Sequence, residues 1–96
     1  MLDNINKAFE NRVRLGIMST LMVNDWLDFG TIKDMLDVTD GNLSSHMQAL
    51  EKLNYLKVRK EFVARRPKTS YQVTKLGKEE FTRHLTALEK LLKGLT

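Results

Sequence analysis

Cysteine is absent from the 96-residue chain, which excludes disulfide bonds and thiolate metal sites. No run of apolar residues approaches the length of about 20 that a membrane-spanning helix needs. The first residues also lack the basic segment followed by an apolar one that marks a secretory signal. A chain of this length predicts one domain, residues 1–96, and these absences favour a cytoplasmic location.

Signatures of catalysis are missing as well. The two histidines, His46 and His84, are not joined by cysteines or by a pair of carboxylates at the spacing of metal ligands. No glycine-rich phosphate loop or nucleophile motif occurs. We therefore expect no enzyme activity, no bound metal and no cofactor, and for His46 a packing or helix-capping role.

Positive charge exceeds negative charge. There are 16 lysines and arginines against 12 acidic residues, which gives a net charge of +4 and an isoelectric point near 9.5. This balance suits a polyanionic partner such as nucleic acid, although many basic proteins bind none. The distribution of the charges along the chain is therefore more informative than their sum.

Residues 39–53 predict a helix with two unlike faces. Thr39 is a good N-cap, because its hydroxyl can accept from free N–H groups of the first turn. Apolar side chains share one face, at Leu43, Met47 and Leu50. The other side is polar and holds Gly41, Ser44, Ser45, Gln48 and Lys52. Such a helix can enter a DNA major groove, and the alternative is an ordinary surface helix.

A second short helix is predicted immediately before it. Residues 31–34 resemble a capping box and open a helix that runs to about Asp37. Only Val38 then separates this helix from the Thr39 cap, so residues 31–53 predict a helix-turn-helix. Further upstream, residues 2–24 are predicted to be helical, with Asn11 as an N-cap, and residues 26–29 could form a small strand.

A hairpin is predicted at residues 55–74. Leu56, Val58 and Phe62 alternate with polar residues, a turn follows at residues 64–68, and alternation resumes from Thr69. The turn carries Arg65, Arg66 and Lys68, which could form a solubilising loop. Contact with phosphates or the minor groove explains so cationic a tip better.

The last helix is predicted at residues 75–94, with Thr74 as its cap. Its large apolar residues follow the spacing of a coiled-coil seam: Phe81, Leu85, Leu88, Leu92 and Leu95. Since a small core needs only part of this helix, we predict that the seam joins two copies of the chain, with Ile5 and Phe9 as a second layer. The alternative is that the helix folds back and buries its leucines within one chain.

The chain resembles the MarR/ArsR-type winged-helix regulators, in particular a small stand-alone group. The matching stretches are residues 11–18, 29–33, 39–47, 50–51, 55–56, 60–62, 65–69, 73–77 and Phe81. The resemblance implies a mainly α fold, a winged helix-turn-helix with a three-helix core, a two-stranded wing and a long C-terminal dimerisation helix. It also implies a homodimer that binds palindromic double-stranded DNA. In this family a small ligand often releases the protein from the DNA.

Two sets of residues are predicted to bind DNA. On the recognition helix they are Thr39, Asn42, Ser44, Ser45, Gln48 and Lys52. On the wing they are Lys60, Arg65, Arg66, Lys68 and Thr69. The chain departs from the family in two respects: ArsR-type metal sensors usually carry cysteines, and the extra terminal helices that form a ligand pocket in larger MarR-type proteins are short or absent. A module that binds proteins or RNA remains the alternative.

Overall fold

A computed structural model describes residues 2–94, which fold as a winged helix. The elements are α1 (Arg12–Met22), β1 (Leu27–Asp28), α2 (Phe29–Leu36), α3 (Asp40–Lys52), β2 (Leu56–Val63), β3 (Arg66–Val73) and α4 (Lys75–Gly94). The predicted α+β fold class is therefore confirmed. No helix in this part of the chain is long and apolar enough to cross a membrane.

The N-terminal segment is less helical than the sequence predicted. Only a short 3-10 helix, Lys7–Phe9, precedes α1, because Asn6 caps it by accepting from the N–H of Ala8. The chain then becomes extended at Asn11, whose side chain accepts from the N–H groups of Val13 and Arg14 at 2.9 and 3.1 Å. The predicted Asn11 cap is thus confirmed, but the predicted helical structure is absent at residues 2–6 and 23–24.

The cap of the helix-turn-helix lies three residues earlier than the predicted capping box, at Asp28 and not at Thr31. Asp28 is the N-cap of α2, since its carboxylate accepts from the N–H and the hydroxyl of Thr31. The pKa of Asp28 is lowered, chiefly by the hydroxyl bond. After α2 the chain turns through Asp37 in the left-handed region, at φ 53°. Thr39 caps α3 as predicted, and its Oγ1 accepts from the N–H of Asn42 at 3.2 Å.

The core lies between α1, α2, α3, the sheet and the first half of α4. Phe9 is its centre, and its ring meets those of Phe81 at 5.1 Å and Tyr55 at 5.4 Å between centroids. Burial of each aromatic side chain contributes about 1.5–3 kcal/mol. The fully buried aliphatic side chains around it are Ile17, Met18, Leu21, Ile32, Leu43, Met47 and Leu50.

The wing belongs to a three-stranded antiparallel sheet in the order β1-β3-β2. Its turn is shorter than predicted and contains only Ala64 and Arg65, at φ 52° and 65°. Two residues of positive φ match the twist of a tight hairpin, so Arg66 and Lys68 lie on β3 and not in the turn. Pro67 is tolerated there because β1 covers β3 only at Ser70 and Tyr71.

The seam predicted on α4 is buried at Phe81 and exposed at the leucines that follow it. The helix begins at the predicted cap, where Thr74 Oγ1 accepts from the N–H of Gly77 at 2.9 Å. Phe81, His84 and Ala87 face the core and are buried. Leu85, Leu88 and Leu92 continue the same seam beyond Phe81, with 45%, 37% and 66% of their surfaces exposed.

The predicted dimer surface is corrected in consequence. Phe9 and Phe81 are 0% and 2% exposed, so they are core residues of a single chain and cannot meet a partner. Ile5 is half-buried in the N-terminal segment. Leu95 lies outside the described residues.

Candidate nucleic-acid interface

Helix α3 presents a polar face to solvent while its apolar face is held in the core. Leu43, Met47 and Leu50 are at most 1% exposed, which fixes the rotation of the helix about its axis. The residues on the outer side are exposed, namely Asn42, Ser45, Gln48 and Lys52, whereas Ser44 is half-buried. Thr39 is exposed at the N-terminus of the helix. The structure thus brings the predicted recognition residues to one surface.

Two polar contacts link α3 to the neighbouring helices. Lys33 Nζ on α2 lies 2.9 Å from the carboxylate of Asp40, in the first turn of α3. The Nε atom of Arg14 on α1 donates to Nδ1 of His46 at 3.0 Å. Burial, and then the charge of Arg14, lower the pKa of His46. His46 is therefore a neutral acceptor that helps to orient the helix.

The predicted wing residues do not share one face of the hairpin. Directly paired residues of an antiparallel ladder point to the same side, so Lys60 and Thr69 form one pair on the side of Val58 and Tyr71. Arg66 and Lys68 occupy positions of the opposite side, although Lys68 also lines the groove beside α3 and its charge acts on Asp28. Arg65 lies in the turn. All of these side chains are exposed except that of Thr69, which is half-buried.

The outer side of the wing is partly neutralised. Glu61 pairs directly with Lys68 across the strands, and its carboxylate lies 3.6 Å from Arg59 Nε. The guanidinium of Arg59 also covers the ring of Trp26, 4.3 Å from the centroid. Within residues 2–94, Lys60, Arg65 and Arg66 form no ion pair. These three exposed cations are therefore available to a polyanion.

A groove of about 550 Å³ separates α3 from the inner side of the wing. Ser44 and Gln48 line one wall, and the other wall is lined by the wing residues Lys60, Pro67, Lys68 and Thr69. The amide Nε2 of Gln48 lies 3.4 Å from Ser44 Oγ, a long contact that leaves its other amide groups to a ligand. Hydroxyl, amide and ammonium groups therefore converge on one open cleft.

Sequence reasoning missed two acidic residues in this groove. Asp28 lies at its edge, where the carboxylate is engaged by Thr31. Glu51 is exposed on α3 and lines the same wall as Ser44 and Gln48. The helical spacing 44, 48, 51 could have revealed it. Burial, and then the charge of Glu51, raise the pKa of Tyr71 on the opposite wall.

The second histidine has a structural role. His84 is 2% exposed, and its Nδ1 accepts from the backbone N–H of Asn6 at 3.0 Å. Burial lowers the pKa of His84, against a smaller raising effect of Glu10. Asn6 in turn donates through Nδ2 to the hydroxyl of Tyr55 at 3.0 Å, so the N-terminal segment is bound to α4 and to the core. Across residues 2–94, no three His, Asp or Glu side chains group where they could hold a metal ion.

A helix-turn-helix whose second helix lies beside a two-stranded hairpin defines a winged helix. The chain belongs to the winged helix DNA-binding domain family, which it matches over residues 13–92. That match covers the helix-turn-helix, the wing and most of α4.

Three similar proteins extend this comparison. An uncharacterized protein of Methanocaldococcus jannaschii is 29% identical over 89 residues, which are 93% of this chain and 97% of that one. The structure of a transcriptional regulator homologue from Pyrococcus horikoshii OT3 is 40% identical, with a TM-score of 0.85, and the match covers 92% and 87% of the two chains. HlyU from Vibrio cholerae N16961 is 28% identical, with a TM-score of 0.64 over 93% and 84%.

Proposed function

We propose that this protein is a transcriptional regulator that binds double-stranded DNA sequence-specifically, in the manner of MarR-like proteins. The observation that carries this proposal is the groove between α3 and the wing, with base-reading groups on one wall and Lys60 on the other. The 40% identical Pyrococcus horikoshii protein, described as a transcriptional regulator homologue, supports it.

The exposed side of α3 fits the major groove in size and chemistry. The groove is about 12 Å wide and admits one helix. Gln48 can form a bidentate pair with adenine, while Asn42 and Ser45 can reach base edges or nearby phosphates. Glu51 would accept from a cytosine amino group at the C-terminal end of the contact. Thr39 and Lys52, at the two ends of the helix, are suited to phosphates.

The wing would then follow the adjacent backbone. Lys60 faces the protein groove beside α3, and Arg65 and Arg66 extend from the tip of the wing. These cations can therefore meet phosphates on both sides of the DNA minor groove. Lys68 contributes less, because Glu61 lies opposite it. Thr69 is half-buried beside Lys60 and can donate its hydroxyl to the backbone.

Dimer formation through α4 completes the proposal. One winged helix makes too few base contacts to find a single site in a genome, and a two-fold axis doubles them. The exposed leucines Leu85, Leu88 and Leu92 recur at spacings of three and four residues, so they form one exposed stripe along α4 beyond Phe81. Symmetric pairing of this stripe would present two recognition helices to a palindromic site.

Selection from a random duplex pool tests the proposal directly. We expect wild-type protein to enrich a palindrome, and to bind it about 10³-fold or more tightly than random duplex at 150 mM salt. Single-stranded RNA of matched length serves as the competitor. Equal affinity for all duplexes, or preference for the RNA, would contradict sequence-specific regulation. The triple variant Asn42→Ala, Ser45→Ala and Gln48→Ala is the control, since it keeps the wing but should lose the enrichment.

A further inference from the structure

Phe62 is an aromatic side chain that the fold leaves almost fully in solvent. It is 79% exposed and lies on β2, two residues before the turn. Ser70 is the buried residue nearest to the turn of the hairpin. Four residue pairs lie between Ser70 and the turn, which corresponds to about 14 Å. Phe62 is therefore remote from the core, and packing within the chain does not explain a phenyl ring there.

The ring projects from the side of the wing that faces the recognition helix. Phe62 pairs directly with Pro67, so both lie on the face that carries Lys60 and, nearer the core, Val58. Pro67 and Lys60 line the groove beside α3. A duplex that takes α3 into its major groove would therefore lie on the same side of the wing as Phe62.

The charge around Phe62 identifies the kind of partner. Lys60, Arg65 and Arg66 lie within four residues of it and form no ion pair in the described part of the chain. A second copy docked here would bring the same cations against them, which is repulsive. A polyanion neutralises all three, and a duplex also offers an apolar site between its stacked bases.

We propose that Phe62 is an apolar wedge that enters the minor groove of the bound duplex and partly unstacks one base step, while Arg65 and Arg66 hold the phosphates on either side. This inference rests on the proposed DNA-binding function and adds a specificity determinant to it. The minor groove is about 6 Å wide, too narrow for the whole two-stranded wing but sufficient for the edge of one ring. Insertion of such a side chain kinks the duplex toward the major groove.

The wedge predicts a sequence preference at a step that forms no hydrogen bond with the protein. Pyrimidine–purine steps such as TA and CA unstack easily, whereas A-tracts are stiff. Burial of the Phe62 ring is favourable, and unstacking of the bases is costly. On a stiff sequence the cost of unstacking offsets most of that gain, whereas on a flexible sequence it offsets less. We expect roughly tenfold tighter binding when a TA step replaces an A-tract under the wing.

The test uses a duplex that wild-type protein selects from a random pool, with 2-aminopurine placed at each flanking adenine in turn. This base brightens when its stack opens. Wild-type protein should raise the fluorescence at one step in each half-site, and Phe62→Ala should abolish the rise and weaken binding roughly tenfold. Phe62→Leu should keep part of both effects. Val63→Ala is the matched control, because Val63 is also apolar and exposed, at 48%, but points to the other side of the wing.

Three results would overturn the wedge. An unchanged fluorescence rise and affinity in Phe62→Ala would refute it while leaving DNA binding intact. A change in the sedimentation of free Phe62→Ala would show that the ring serves contact between copies. Failure of wild-type protein to bind any duplex would refute the proposed function together with the wedge. Circular dichroism of each variant verifies folding, which an exposed side chain should not alter.

Discussion

The Nε atom of Arg14 donates a hydrogen bond to Nδ1 of His46 across 3.0 Å, and this bond joins α1 to the recognition helix. The acceptor must be unprotonated, so the bond exists only while His46 is neutral. Burial first, and the Arg14 charge second, lower the pKa of His46 below its ordinary value of 6.5. We therefore expect this contact between α1 and α3 to weaken when His46 is protonated.

The bond predicts a pH-dependent coupling energy between these residues. With a folded-state pKa below the unfolded value, the stabilisation is complete above about pH 6.5 and declines as the pH falls through the folded-state pKa. A double-mutant cycle of Arg14→Met and His46→Leu should give a coupling of about 0.5–1.5 kcal/mol at pH 8 that diminishes as the pH is lowered below 6.5. Denaturant unfolding measures it. The cycle is needed because the pKa of His84 is also lowered, so His84 adds its own pH dependence to the stability of each single variant. A coupling energy that does not change with pH would contradict the role of neutral His46.

Gln48 should determine one base pair of the site. Its side chain is exposed on the wall of the groove, within reach of an adenine edge. Gln48→Ala should weaken binding to the selected duplex by about 1–3 kcal/mol and flatten the preference at one position of each half-site. Gln72→Ala removes the same group from β3, where it bonds Asp25, and should change neither quantity. An identical selection profile for Gln48→Ala would remove Gln48 from the readout.

The wing should control the salt dependence of binding. Arg65→Ala and Arg66→Ala should each lower the slope of log K against log salt by about one unit per wing, on specific and random duplexes alike. Lys68→Ala should have a smaller effect, because Glu61 faces Lys68 across the strands. Lys90→Ala on α4 makes the same charge change at an exposed site far along that helix and should leave the slope unchanged. Equal slopes for all four variants would exclude phosphate contacts by the wing.

The exposed leucines of α4 should hold the dimer together. Wild-type protein should sediment as a dimer at micromolar concentration, and Leu88→Glu with Leu92→Glu should give a folded monomer without specific binding. Leu76→Glu is the control, since Leu76 is 43% exposed but lies nine residues before Leu85, on the opposite side of the helix. Half-sites should lie about 10 bp apart. A monomeric wild type that still binds its palindrome would contradict dimerisation through α4.

Gly77 should be the least replaceable glycine of the chain. A Cβ atom there would overlap the carbonyl oxygen of Tyr55 and lie 2.9 Å from Val73 Cγ2. The Tyr55 oxygen cannot move away, because it accepts from the N–H of Thr74. Gly77→Ala should destabilise the protein by about 1–3 kcal/mol or more in thermal unfolding. Gly41→Ala, with open space around the new Cβ, should be neutral or stabilising by up to about 1 kcal/mol; equal effects would contradict the close approach.

Local chemistry determined much of this protein from its sequence alone. Asn11 and Thr39 cap their helices as predicted, since an N-cap requires only a short polar side chain two or three residues from a free N–H group. The alternation of residues 56–63 gives the wing its first strand, and the spacing of Leu43, Met47 and Leu50 sets which side of α3 is polar. These features depend on neighbours in the chain, so periodicity and capping rules suffice.

Tertiary structure decided what distant residues do to one another. The heptad spacing of Phe81 and Leu85 is compatible with one seam, but the core accepts Phe81 beside Phe9 and leaves Leu85 in solvent, because only part of the α4 surface meets the core. The cations of residues 65–68 are divided between the turn and the outer face of β3 once a two-residue turn sets the strand register. Those outcomes depend on contacts between residues that are far apart in the chain, and local sequence patterns do not determine such contacts.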